Sequence, residues 1–587
     1  MAALKAPNNL WYGTTGPIDA SVVAIGESWG LEELAESKPF VGQSGQEFDR
    51  MLHDAGLNRS EILCTNVVNK RPPKNELGRL FAPYSKEAFT HRGLNPTPAI
   101  MSELSRLRDQ LTRFPRTLII ALGNWSLWSM SDTCGIQLKK YEGYGSVREP
   151  TGIISWRSSQ IYTTTLPQRT KLLPIIHPAA ILREWKWRQT TVQDLRRVHN
   201  VKDWEPKRID IRIPQSYNEI EEWFAPILAR VAKGEKIALA NDIETFKRRF
   251  ISVIGFGYGG FNVKGSAMVI PFIKATGPSG AREFSSWWEP KTEARILRLL
   301  RHILTHPNIG IEGQNYLYDI QYIIKWLGIE PRCDFDTMLA QHLLFPGVPK
   351  SLDFLSSLYC FYHRYWKEDG KDWDLKGDVM QFLLYNGEDC LRTAECATVL
   401  RRLITEMGME EQWENEKRKY QLALRMMQKG IKIDLALRTK LRGDMMREQV
   451  RIHSRLAGLI PATIIPHMKT SKVPWYVSVH QQKVLFYEVM GLRPQSHRKT
   501  GRATINDEAI NALSEDYPEL NTLWKHLQAE RSVGVFRANF LDAEVDADEH
   551  MRCFFNPAGP ETFRWSSSEN VFGSGTNLQN IPTGDEE

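Results

Sequence analysis

Asp242 and Glu244 stand two residues apart in Lys236-Ile237-Ala238-Leu239-Ala240-Asn241-Asp242-Ile243-Glu244-Thr245. In an extended strand that spacing puts both carboxylates on one face. Two like charges so placed repel unless a cation sits between them. Asp319 ends the run Gln314-Asn315-Tyr316-Leu317-Tyr318-Asp319, and Tyr385 and Asp389 lie four apart in a helical stretch, on one helix face. A lone Asp-x-Glu is most often a solvated strand face. Four carboxylates with a tyrosine are a different matter: they are hard oxygen ligands of the kind that Mg2+ or Mn2+ takes. A pair of such ions supports hydrolysis by an activated water.

The elements that must position these groups are legible nearby. The apolar residues before Asp242 suggest a buried strand, and the apolar-polar run from Pro307 to Gly313 precedes the Asn315–Asp319 segment. The polar stretch from Val201 to Ser216, with Pro206 and Pro214, reads as a linker. Ahead of it, Ser21-Val22-Val23-Ala24-Ile25-Gly26, Ile62-Leu63-Cys64-Thr65-Asn66-Val67-Val68 and Thr117-Leu118-Ile119-Ile120-Ala121-Leu122-Gly123 read as strands alternating with helices, hence a mainly parallel α/β sheet with any site in its strand-end loops. Helical periodicity dominates from about Leu403 to Leu459.

In their order, Asp-x-Glu, Asn-x-x-x-Asp and Tyr-x-x-x-Asp resemble the three motifs of the DnaQ-like, RNase H-like 3′→5′ exonucleases. Asp336-Thr337-Met338-Leu339-Ala340 and Ser351-Leu352-Asp353-Phe354-Leu355 are similar to the proofreading domain of polymerase I. The resemblance implies that Asp242, Glu244 and Asp389 hold the metal that activates the attacking water. It implies that Asp242 and Asp319 hold the second metal, that Tyr385 orients the water, and that Asn315 lies against the DNA.

The first two hundred residues resemble the uracil-DNA glycosylase superfamily, its family 4 above all. The matching segments are Gly26-Glu27-Ser28-Trp29-Gly30, Lys38-Pro39-Phe40-Val41-Gly42, Thr65-Asn66-Val67-Val68-Asn69-Lys70-Arg71-Pro72-Pro73 and His177-Pro178-Ala179-Ala180-Ile181-Leu182-Arg183. The likeness implies that Phe40 stacks on a flipped base, Asn66 reads its edge, His177 donates to the base oxygen and Glu27 positions water. Two departures set this chain apart. Ser28-Trp29 replaces Ala-Pro, an indole that could fill the pocket. Only Cys64 and Cys134 lie in this region, so the family's iron–sulfur cluster is not expected. These departures favour a lesion-binding or structural module over a glycosylase that turns over.

The last stretch, Thr562-Phe563-Arg564-Trp565-Ser566-Ser567-Ser568 and Thr576-Asn577-Leu578-Gln579-Asn580-Ile581-Pro582, resembles the T-x-R-x-S-S … N-L-Q-N-I-P segment of family A DNA polymerases, with Phe563 where that family usually has Gly. Ala423 to Asp434, with Gly430 as a left-handed helix stop, and Gln481 to Leu492 are similar to that family's thumb. The basic loop His497-Arg498-Lys499-Thr500-Gly501-Arg502 suits phosphate contact. Arg564, Gln579 and Asn580 are expected near the primer end. Palm and fingers motifs do not occur in these residues, so a second polypeptide is expected to supply them.

The sequence thus implies a multidomain α/β chain: a parallel α/β glycosylase-like sandwich at 1–205, an RNase H-like exonuclease domain at 206–405, a mainly helical thumb at 406–550 and the start of a palm at 551–587. A glycosylase-like domain ahead of a polymerase resembles some bacteriophage arrangements, so a split phage-like replicative polymerase is the leading expectation. A stand-alone repair nuclease and a non-catalytic replisome scaffold are the alternatives. The 587 residues carry a net charge of +7, which permits DNA binding without specifying it. Seven scattered cysteines with no Cys-x-x-Cys pair point to reduced thiols and a (host) cytoplasmic setting. No signal peptide or membrane span is read.

Overall fold

The computed structural model describes residues 10–82, 95–141, 145–204, 209–279, 281–375, 377–465, 473–498 and 501–581. The chain falls into two compact units, 1–417 and 418–587. Among the described residues no helix is long and apolar enough to cross a membrane.

The first unit contains two large sheets. One is built from β1 (Val22–Ser28), β2 (Ile62–Val68), β3 (Leu118–Leu122), β4 (Ile161–Tyr162) and β5 (Lys171–Ile175), in the order β2-β1-β3-β5-β4. All pairings are parallel except β4 with β5. All seven residues of β2 and all five of β3 are buried. Continuous apolar runs of this kind are what a parallel sheet covered on both faces requires.

The second sheet comprises β6 (Asp210–Arg212), β7 (Ile237–Phe246), β8 (Phe250–Tyr258), β9 (Ser266–Pro271), β10 (Ile309–Gly313) and β11 (Cys333–Asp336), in the order β6-β9-β8-β7-β10-β11. β7-β8-β9 is an antiparallel meander, and β6, β10 and β11 join in parallel. The expected linker is therefore only partly one. Its residues Asp210–Arg212 are an edge strand paired to β9. Ile211 fills the space beside Gly387, where a Cβ would come within 2.5 Å of it.

The long helix Val379–Glu406 lies against β7, β8 and β9. Two glycines of β8 permit the approach. A Cβ at Gly255 would meet Asn386 Oδ1 at 2.2 Å, and one at Gly257 would meet Cys390 Cβ at 2.9 Å. Gly255 is the register partner of Asp242. The close contact therefore brings the helix that carries Tyr385 and Asp389 down onto the strand that carries Asp242 and Glu244.

The second unit is mainly helical. Leu435–Leu459 packs along Asn521–Phe536, around a core with Leu456, Phe486, Trp524 and Leu527 at its centre. Gly430 has φ +66°, as a left-handed helix stop requires, and Met551 O would lie 2.7 Å from a Cβ there. Two short antiparallel pairs follow, Ile431–Lys432 with His550–Met551 and Cys553–Asn556 with Ser566–Glu569.

Candidate functional site

Asp242, Glu244 and Asp389 each offer a carboxylate oxygen, and the three oxygens lie within 4.8 Å of one another. Asp242 and Glu244 are part-buried and Asp389 is buried. Burial, with Asp319, Asp389 and Glu244 nearby, pushes the Asp242 carboxyl well above the usual range. Burial and then Asp389 push Glu244 up to about 8. An acidic cluster of this kind has the donor chemistry that fits a divalent cation. Asn386 Nδ2 donates to Asp242 Oδ2 at 2.8 Å and fixes its orientation.

Asp319 stands beside Asp242 and outside the clustered three, and its Oδ1 accepts the Ile243 backbone N–H at 2.9 Å. The carboxyl is buried, and burial raises its pKa well above the usual range. Asn315 takes φ +54°, a conformation Asn tolerates. Asp336 holds the turn around it. Its Oδ2 accepts from Tyr316 N at 2.8 Å and its Oδ1 from Met338 N at 2.9 Å. The next helix, Thr337–Leu344, is thereby capped. The Tyr316 hydroxyl donates to Asn241 Oδ1 at 2.6 Å, locking the Asn315–Asp319 segment to β7.

Two functional residues carry no motif. Lys367 Nζ donates to Asp389 Oδ2 at 2.7 Å and to the Tyr385 hydroxyl at 3.0 Å. Burial pulls the ammonium down most, but Asp389, Asp242 and Glu244 together outweigh it and its pKa is raised. The Trp366 indole N–H donates to Asp389 Oδ1. Both stand on a strap, residues 360–378, between the helices Leu352–Tyr359 and Val379–Glu406. Burial, then Asp389, raises the Tyr385 hydroxyl far above the usual range, so it stays protonated.

The strap is tied to the first sheet's domain. The Glu368 carboxylate accepts the Gly135 N–H at 2.7 Å and also takes the Thr151 hydroxyl. Tyr365 N–H donates to Ser159 Oγ at 3.1 Å, and the Gln160 and His363 backbones are joined at 2.7 Å.

With no divalent cation present, the raised acids set the sign of a pH effect. A carboxyl whose folded pKa lies above its unfolded value adds stability below the unfolded value and loses it as pH rises through the folded one. In chelator, the melting temperature of the first unit is expected to fall between about pH 5 and about pH 9, the window set by Glu244 at about 8. Calorimetry on Glu244→Gln should show a flatter fall, and an unchanged slope would exclude Glu244 as the cause.

Glu27, Phe40, Asn66 and His177 meet around a cavity of about 500 Å3 at the strand ends of the first sheet. Gly26 permits the meeting, since a Cβ there would lie 2.2 Å from Asn66 Oδ1 and 2.9 Å from Phe40 Cζ. His177 Nδ1 accepts the Ala179 N–H at 3.1 Å. Burial lowers its pKa to about 4. The ring is therefore neutral with its proton on Nε2, a donor. Glu27 accepts the Trp125 N–H at 3.2 Å, and burial raises it to about 7. The expected obstruction is absent among the described residues lining this cavity: Trp29 is not one of them. It is 2% exposed and packs on Tyr12, ring centroids 5.5 Å apart.

In the second unit Arg498 and Arg502 are exposed at the tip of a small hairpin, Gln495–Ser496 with Ala503–Thr504, and Gly501 there has φ +65°. Lys499 lies outside the described residues. Arg564, Gln579 and Asn580 are exposed. Gln579 Nε2 donates to Trp565 O at 3.2 Å, so the segment around Arg564 meets the segment around Gln579. Phe563 takes φ +60°, the conformation that glycine would adopt at no cost.

Two family models match parts of the first unit. The uracil-DNA glycosylase superfamily model matches residues 13–196, and a 3′-5′ exonuclease model of the DNA polymerase A type matches residues 287–405. The latter spans Asp319, Tyr385 and Asp389; geometry adds Asp242 and Glu244 to them. The type-4 uracil-DNA glycosylase of Thermotoga maritima is 26% identical over 169 residues, 29% of this chain and 69% of that protein. That of Saccharolobus solfataricus is 27% identical over 197 residues, 33% of this chain and 77% of that protein. Among solved structures, the POL domain of Pol1 from M. smegmatis, in complex with DNA primer-template and dNTP, is similar with a TM-score of 0.42 and 19% identity. That match covers 65% of this chain and 57% of the other. The chain carries a uracil-DNA glycosylase superfamily domain followed by a 3′-5′ exonuclease domain.

Proposed function

We propose that the chain is the editing and DNA-gripping part of a family A replicative DNA polymerase of phage-like type. It removes 3′-terminal nucleotides while palm and fingers, on a second polypeptide, add them. The observation that carries the exonuclease reading is the convergence of Asp242, Glu244 and Asp389 within 4.8 Å. The polymerase reading is supported by the meeting of the Arg564 and Gln579 segments through the Trp565 carbonyl.

Asp242, Glu244 and Asp389 are the residues that would hold divalent cations, Mg2+ or Mn2+. Such ions, when bound, supply an activated water and charge stabilisation for the leaving 3′ oxygen. Asp319 supports the cluster from Ile243 and is the remaining carboxylate available to a second ion. Tyr385, protonated, orients the water and does not take its proton. Asn315 contacts the terminal nucleotide. Arg498, Lys499 and Arg502 contact duplex phosphates, and Arg564, Gln579 and Asn580 lie at the primer end.

For the N-terminal domain we read a base-binding module. Phe40 supplies a stacking face, Asn66 an edge reader and His177 an Nε2–H donor around a cavity open to a base.

A mismatched primer-template, offered to the chain alone and with the polypeptide bearing palm and fingers, tests this reading. Trimming by the chain alone and extension only with the partner is the expected result. Extension by the chain alone would contradict it. A uracil-containing strand followed by alkaline cleavage separates binding from excision in the N-terminal domain.

A further inference from the structure

The cluster that would hold a divalent cation already has a cation of its own. Lys367 Nζ lies 2.7 Å from Asp389 Oδ2 and 3.0 Å from the Tyr385 hydroxyl, and the lysine side chain is 26% exposed. Its neighbour Trp366, fully buried, donates to the other oxygen of Asp389. Both oxygens of this carboxylate are therefore engaged by consecutive residues of one strap. Asp389 is also a member of the three-carboxylate group. An ammonium and a divalent ion drawn to the same carboxylate repel each other, and the partly buried setting strengthens that repulsion.

Resting on the reading of Asp242, Glu244 and Asp389 as the metal site, we propose that Lys367 is a built-in competitor for that site. The lysine withdraws from Asp389 when a divalent cation binds and returns when the cation leaves. The carboxylates are thus kept paired in both conditions, at the expense of metal affinity. The roughly one-quarter exposure of the side chain gives the ammonium a route to water. Its long flexible stem lets it move without displacing the strap.

The test is Mn2+ binding to the full chain, followed by the electron paramagnetic resonance of free Mn2+. Wild type, Lys367→Met and Asp389→Asn are compared. Asp389→Asn should weaken the site, and Lys367→Met should bind Mn2+ about tenfold more tightly than wild type. Lys367→Met should also melt lower than wild type in chelator and gain a larger rise in melting temperature from Mn2+. That second measurement decides the matter if the destabilised variant blurs the titration, and Lys367→Gln is compared in its place if Lys367→Met folds only with metal. Equal or weaker Mn2+ binding by Lys367→Met, or an equal or smaller thermal rise, overturns the proposal while Asp389→Asn still weakens the site. If Asp389→Asn leaves Mn2+ binding unchanged, the metal-site reading falls, and the proposal with it.

Discussion

Asp242→Ala lowers Mg2+-dependent trimming of a 3′ end by at least about a thousandfold, roughly 4 kcal/mol of transition-state stabilisation. Asp242 sits within the carboxylate cluster and is held there by the Asn386 amide at 2.8 Å. Without it, the chain loses the ligand that its motif resemblance places on both metal ions. The fold should survive. The lost carboxyl is one that burial and three neighbouring acids already disfavour in its charged form, so its removal relieves repulsion. The Asn386 amide keeps the residue's backbone oxygen at 3.4 Å as an acceptor. A 5′-labelled single strand resolved on a gel, alongside melting in chelator, measures both effects. Trimming within about tenfold of wild type, or a lowered melting temperature in chelator, is the contrary result.

Arg157→Ala destabilises the first unit by about 3–5 kcal/mol. Arg157 and Asp194 form a two-pronged ion pair whose side chains are 2% and 0% exposed. The remaining guanidinium nitrogen donates to Ser357 Oγ at 2.6 Å, just before the strap. Removing the arginine leaves a buried carboxylate without its counter-charge, and burial alone raises the pKa of Asp194. Urea denaturation should show the midpoint fall with little change in slope. Arg157→Met combined with Asp194→Leu, which removes both charges, should recover much of the loss, since a paired replacement leaves no orphan. A single-variant cost below about 1 kcal/mol would mean that the pair is not held as described.

The readable parts of this molecule were those where chemistry is local. β1, β2 and β3 declared themselves as mostly apolar runs because a sheet covered on both faces needs them. Asp242, Glu244, Tyr385 and Asp389 declared themselves by spacing along one strand and one helix. Short or tertiary features did not. β6 is three residues within Ile209-Asp210-Ile211-Arg212-Ile213, a short alternation between prolines in a polar stretch, and its pairing with β9 and the space left by Gly387 make it a strand. Trp29 stood in a pocket motif, yet its ring turns to Tyr12 and away from the cavity. Asp319 matched its motif, but its carboxylate is engaged by a backbone N–H. Lys367 and Trp366 had no signal at all. They lie in an aperiodic strap, and only the folded chain shows what they touch.

That strap bears on modularity. Glu368, Tyr365 and His363 are anchored to Gly135, Thr151, Ser159 and Gln160, one to three residues from the groups that grip Asp389. The glycosylase-like domain is thus the support on which the strap beside Asp389 is set. A fragment beginning at the exonuclease domain would carry every catalytic motif and still lack the surface against which its strap is set.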